Sequence, residues 1–175
     1  MEKTTINKVA CILVLVSATI FPQQETANLR IGTFDSRCVP LAYGRSAEFI
    51  QLRDSIETLY SKAKDDSNKA KIVEIEQYKP TMQVLLHQQV FSNGSINNIA
   101  EKIKEKISAI AKQNKLNMIL SKWEITFTDG SVELVDITDQ LTALYNPDEA
   151  TKKIIDNIKV MEPVPIEKIS INPMD

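Results

Sequence analysis

Lys115–Thr128 reads KLNMILSKWEITFT, and within it the chain changes period. Just upstream, Ile96, Ile99, Ile103, Ile107 and Ile110 recur every three or four residues, with lysines and glutamates between them. That spacing is the apolar stripe of an amphipathic helix. Asn114 supplies a stop. Leu116–Leu120 then forms a short apolar run suited to a strand, and Trp123–Thr128 alternates as a second strand would. Asp129-Gly130 is a two-residue hairpin signal, because both positions favour positive φ. Val132, Leu134 and Ile137 are therefore expected to run back along the far side of that hairpin.

A partner for the Leu116–Leu120 strand lies far upstream. Leu29–Phe34, LRIGTF, alternates with Leu29, Ile31 and Thr33 on one side and Arg30, Gly32 and Phe34 on the other. Between these strands the pattern is helical. Ser46 is a good N-cap before Phe49, Leu52, Ile56, Leu59, Tyr60 and Ala63. Asp65-Asp66-Ser67-Asn68 reads as a turn. A second helix starts near Lys69 and is expected to kink or end at Lys79, because Pro80 has no amide hydrogen. Met82, Val84, Leu85, Leu86 and Val90 form a third apolar patch, and Asn93-Gly94-Ser95 a sharp turn. That triplet also fits a glycosylation sequon, but a turn accounts for it better. After Asn146-Pro147-Asp148 a last helix is expected from Glu149 to about Lys159, with Ala150, Ile154, Ile155 and Ile158 inward.

The expected fold class is α+β: a small β-sheet body interrupted by a long helical insertion, with short C-terminal helices. The organisation expected is a signal peptide over 1–21, a linker over 22–28, one domain over 29–160 with a helical arm at about 46–113, and an extended tail over 161–175. The leader reading rests on lysines in MEKTTINK followed by the uncharged run VACILVLVSATIF. That run is short of the roughly 20 residues of a membrane span, so export with removal is favoured and an uncleaved N-terminal anchor is the alternative. Removal leaves Cys38 as the one cysteine. It reads as a small buried apolar residue, with an intermolecular disulfide or a reactive thiol as the sharper option.

Composition narrows the chemistry. The 175 residues carry 21 Lys and Arg against 23 Asp and Glu, a net charge of −2, which argues against a nucleic-acid grip. Four glycines are too dispersed for a phosphate loop, and one histidine, His87, excludes a multi-histidine metal site. No catalytic, cofactor-binding or metal-ligating residue is singled out, and no enzyme activity or cofactor is expected. Asp136-Ile137-Thr138-Asp139 explains itself as a helix mouth, with Asp136 or Thr138 as cap. The functional alternative groups Asp136 and Asp139 with Asp35 and Glu124 as a carboxylate cluster for hydrolysis or metal binding.

Three pieces together resemble the Skp/OmpH family of periplasmic chaperones. Leu29–Ser36, LRIGTFDS, is similar to the family's first strand. Ile99–Leu120 resembles the returning helix and the apolar strand after it. Val135–Asp139, VDITD, resembles the family's Asp-Ile-Thr segment. About half of the mature chain is covered. The resemblance implies a periplasmic or secreted, ATP-independent holdase for unfolded or outer-membrane polypeptides, a homotrimer with coiled-coil arms and no catalytic residues. Here Asp65-Asp66, Pro80 and Asn93-Gly94 interrupt the arm, so a shortened arm is expected. The alternative function is a non-catalytic structural or adaptor module of the cell envelope that has lost holdase activity. The isoleucine stripe Ile96, Ile99, Ile103, Ile107 and Ile110 is the candidate protein-interaction surface, with core or helix–helix seam as its plainer reading.

Overall fold

The computed structural model describes residues 29–169. The expected leader and linker, and the last six residues of the tail, lie outside them. The fold mixes helices with one small sheet. Strand β1 (Leu29–Phe34) is followed by helices α1 (Cys38–Gly44), α2 (Ala47–Asp65) and α3 (Lys69–Phe91). Next come the short α4 (Asn97–Ala100), one 3₁₀ turn, and α5 (Lys104–Gln113). Strands β2 (Met118–Ser121) and β3 (Val132–Asp136) and helices α6 (Thr138–Ala143) and α7 (Glu149–Lys159) complete it.

The sheet order is β2-β1-β3, and both pairings are parallel. Ile31 sits opposite Met118 and Gly32 opposite Ile119, so the two stretches of backbone expected to meet do meet. On the other edge Ile31 sits opposite Leu134 and Thr33 opposite Asp136. The Gly32 and Phe34 side of β1 faces the helices. Gly32 lets these side chains approach the strand closely: a Cβ would lie 2.6 Å from Leu116 Cδ1 and 3.3 Å from Ile137 Cδ1, so the Leu116 side chain would have to move. The core on this side gathers Cys38, Val39, Ala42 and Tyr43 of α1 with Ile99, Ile103, Ile110, Ile137, Leu141 and Ile155. Helix α1, read from sequence only as an apolar stretch, is the hub of that core. Pro40 lies in its first turn, where a missing amide hydrogen is tolerated.

Three expectations are corrected. The hairpin does not form. Lys122–Glu124 is a 3₁₀ turn, Ile125–Gly130 has no regular structure, and Val132–Asp136 pairs with β1 instead. The chain leaves the sheet because Ser121 Oγ accepts from the Trp123 amide and the Trp123 indole donates to Asp35. Gly130 does not adopt positive φ, and Asp129 Oδ1 accepts from the Ser131 amide, so the turn closes without a hairpin. Of the two outcomes expected at Pro80, a kink or an end at Lys79, the end does not occur: α3 runs through Pro80 to Phe91. Packing against α2 on both sides of the proline holds it: before it Tyr60 is bonded to Glu76 and Lys79 is paired with Glu57, and after it Met82 and Leu86 lie beside Phe49. Finally, the isoleucine helix is not continuous, since Glu101–Ile103 tightens into a 3₁₀ turn between α4 and α5.

Helices α2 and α3 form an antiparallel hairpin. Tyr60 meets Glu76, Glu57 meets Lys79, and Phe49 lies near Leu86, so the two helices run in opposite directions in constant register. Ser46 Oγ caps α2 by accepting from the Phe49 amide, and Asn68 Oδ1 caps α3 from the Lys71 amide. Ile56, Ala63 and Ile75 are buried in the seam. At 19 and 23 residues the helices reach about 28 and 34 Å. They pack on each other and, at their base, on α1.

Candidate functional site

The isoleucine stripe faces inward. Ile99, Ile103 and Ile110 are buried in the core, and Ile96 and Ile107 are half-buried against it. The spacing of three and four still turns all five toward the core although the helical stretch is broken by the 3₁₀ turn. What the chain offers to solvent lies elsewhere.

One exposed apolar set runs along the hairpin: Ile50 and Leu59 on α2, Val73, Tyr78 and Leu85 on α3. Charged residues lie between them; the Lys79–Glu57 ion pair (2.7 Å) joins the two helices, and Lys71–Glu74 (2.7 Å) lies along α3. The second set lies on the sheet face away from the core. Cross-strand partners share a face, so Ile31, Met118 and Leu134 stand together, with Leu29 beside them. Leu29 is 43%, Met118 49% and Leu134 45% exposed. Parallel sheets bury both faces in soluble proteins. Here residues 122–131 connect the β2 edge to the β3 edge. The exposure of Leu29, Met118 and Leu134 leaves this part of the face open to solvent.

At the carboxyl end of the sheet lies a charge cluster that sequence reasoning missed. Asp35 is fully buried just after β1. Its carboxylate accepts from Arg37 Nε (3.0 Å), from an Arg37 terminal nitrogen (2.8 Å), from the Arg37 amide (3.1 Å) and from Trp123 Nε1 (3.1 Å). Lys122 Nζ lies 3.1 Å away. Burial pushes the Asp35 carboxyl up, but these donors outweigh it and hold it at about 2. Arg37 reaches onward to the carbonyls of Ile158 (2.8 Å) and Met161 (2.7 Å). Its guanidinium also lies over the Trp123 ring, 4.8 Å from the centroid. The cluster therefore clamps β1, the segment after β2 and the end of α7 together. With every carboxylate oxygen engaged, Asp35 is a positioning group and not a free base. The available signal was an Asp-x-Arg pair immediately after a strand, which looked like an ordinary polar turn.

The four acids grouped in sequence are committed separately. Asp35 belongs to the clamp. Asp136 Oδ1 accepts from the Thr138 amide (2.8 Å), and the Thr138 hydroxyl accepts from the Asp35 amide (3.0 Å). Asp136 thus serves the mouth of α6, while Thr138 ties that mouth to the end of β1. Asp139 is exposed and paired with Lys159, and Glu124 is exposed. Among the described residues no group of three His, Cys, Asp or Glu side chains could hold a metal ion. His87 stacks edge-on to Phe91, with centroids 5.7 Å apart. Cys38 is fully buried, and burial pushes its thiol up to about 12, which suits a core residue and not a nucleophile.

Comparison with known proteins finds no matching family model, no matching curated protein and no matching solved structure.

Proposed function

We propose that the chain is an exported, Skp/OmpH-like protein that binds unfolded or envelope polypeptides without ATP and assembles as a homo-oligomer, a trimer by resemblance. The observation that carries this reading is the α2–α3 hairpin, which projects from a small sheet and carries Ile50, Leu59, Val73, Tyr78 and Leu85 exposed along its length. A passive holdase needs apolar side chains that cover a client's exposed segments, set among charges that keep the complex dissolved. The hairpin has both. The open half of the sheet face supplies the surface for self-association, because an apolar parallel face is not left in water.

The reading is tested by adding the purified mature chain, without nucleotide, to a denatured β-barrel outer-membrane protein. Suppressed aggregation at a few-fold molar excess is the expected result. Unchanged aggregation, with the chain folded by circular dichroism, overturns it. The adaptor reading is favoured by one feature, the hairpin's length of only about 30 Å. An assembled chain that captures a few folded partners and no unfolded ones would point there.

A further inference from the structure

Two grooves of nearly equal size flank the seam of the α2–α3 hairpin, one of about 270 Å³ and one of about 260 Å³. Phe49, Met82 and Leu86 belong to both, since they fill the seam between them. The remaining walls differ. On one flank they are Arg53, Glu57, Lys79 and Gln83, and the Lys79–Glu57 pair bridges the helices there. Tyr60 belongs to this flank too, because Lys79 lies over its ring. On the other flank Leu52, Tyr78 and Leu85 take the corresponding places. Among the described residues no ion pair joins α2 to α3 on that side. Helical spacing extends it: Leu59 stands two turns beyond Leu52 on the same face of α2. Leu59 is 50%, Tyr78 48% and Leu85 40% exposed. Ile50 is 43% exposed, but it precedes Arg53 by three residues and Glu57 by seven, which puts it on the charged flank.

We propose that the Leu52, Leu59, Tyr78 and Leu85 flank alone, and not the hairpin as a whole, receives uncharged apolar side chains of an unfolded polypeptide. This rests on the polypeptide-binding reading above and names the side of the hairpin and the client chemistry. The polar groups of the apolar groove are already committed. Gln89 Nε2 donates to the Ser95 carbonyl and to Asn98 Oδ1, and the Thr81 hydroxyl donates to the Gln77 carbonyl. Lys102 Nζ donates to the Tyr43 hydroxyl (2.7 Å) and is met by Glu48 (3.5 Å). A charged client side chain would thus lose water without gaining a partner. At about 30 Å³ for a group the size of a water molecule, the groove holds on the order of nine non-hydrogen atoms, one aromatic or two aliphatic side chains. An extended segment that alternates apolar with polar residues presents such side chains along one side, as the lipid-facing side of a membrane β-strand does. A second copy fits less well. A helix about 10 Å wide laid along the 19 residues of α2 covers on the order of 300 Å² per copy, against about 800 Å² per partner in a lasting association.

The test titrates the full chain into a fluorescent nonapeptide, in which leucine and phenylalanine alternate with threonine, and follows anisotropy. Saturable binding is expected, and binding about tenfold weaker when aspartate replaces the phenylalanine. Tyr78→Ser and Leu85→Ser remove apolar surface from the groove and should each weaken the peptide by about three- to tenfold. Ile50→Ser removes a comparable exposed side chain from the charged flank and should leave binding unchanged. All three positions are exposed, so far-UV circular dichroism should match the parent. Equal losses in Leu85→Ser and Ile50→Ser, or equal binding of the aspartate peptide, would overturn the proposal. So would a dimer that Leu85→Ser dissolves and the peptide does not, since the flank would then belong to a second copy. The aggregation assay on the same variants separates the groove from the broader reading. Suppression lost in Ile50→Ser and kept in Leu85→Ser removes the groove and leaves the holdase standing. A chain that binds the peptide through Tyr78 and Leu85 but suppresses no aggregation does the reverse.

Discussion

A single buried carboxylate organises the end of the sheet, and its energetics can be read out by pH. Asp35 titrates near 3.8 when the chain is unfolded and at about 2 when folded. Between those values the unfolded chain binds a proton that the folded chain does not. The stabilisation is therefore complete above about pH 4 and is lost as pH falls through 4 to 2. A shift of this size corresponds to about 2 kcal/mol. Asp35→Asn leaves Arg37 buried without its counter-charge and should cost about 3–5 kcal/mol at pH 6. Urea unfolding of both proteins at pH 6 and pH 2.5 checks this, because the gap between them should narrow by about 1.5 kcal/mol at the lower pH. A gap that stays constant would mean the carboxylate does not titrate as described. Arg37→Met separates a second role. It removes the bonds to the Ile158 and Met161 carbonyls, so amide exchange at the end of α7 should accelerate more than exchange in α2. None of this was visible in Asp35-Ser36-Arg37, because the side chains that bury it, Trp123 among them, lie some ninety residues away in sequence.

The helical hairpin shows what local signals can and cannot settle about an element. Ser46, Asn68 and Asp148 were readable as caps or turn residues, because capping depends on neighbours three residues away, and each accepts from the expected amide. At Pro80 the sequence leaves open whether the helix kinks or ends, because the proline's cost is local while the packing against α2 that carries the helix through is not. Pro80→Ala restores a donor in the middle of α3 and removes the ring's clash, so it should stabilise the chain by about 1–3 kcal/mol in urea unfolding. Helices α2 and α5 both end in the same motif. Asn68 and Leu116 amides reach back to Ala63 and Ala111, and Ser67 and Lys115 adopt φ of 52° and 54°. Glycine suits that left-handed position better than either residue. Ser67→Gly and Lys115→Gly are each expected to stabilise by up to about 1 kcal/mol, and thermal melts of the two variants would show a rise if so. The Trp123–Thr128 strand failed for a different reason. Alternation reports which side chains could share a face, but not which backbone is free to pair. Here both edges of β1 were taken by β2 and β3, and the indole was held by Asp35.

At the scale of the whole molecule, the sequence already implied that Ile31 and Ile119 would meet with helices between them, because two short apolar runs flank one long amphipathic stretch. It did not imply that the sheet would be wholly parallel, and that arrangement sets the remaining question of self-association. The helices cover one face. Ile31 on the other face is buried, yet Leu29, Met118 and Leu134 around it are each more than 40% exposed. If these side chains are the contact between copies, a charge placed among them must be either buried or repelled, and both outcomes break the assembly. Met118→Lys and Leu134→Lys lie on opposite edge strands, so the two substitutions report on the patch and not on one strand's stability. Both positions are exposed within the single chain, so neither lysine should disturb the fold, and far-UV circular dichroism should match the parent. Light scattering is expected to give an oligomer for the parent and a monomer for each variant. An oligomer of unchanged mass in both variants would move self-association away from the sheet, and a monomeric parent would remove it.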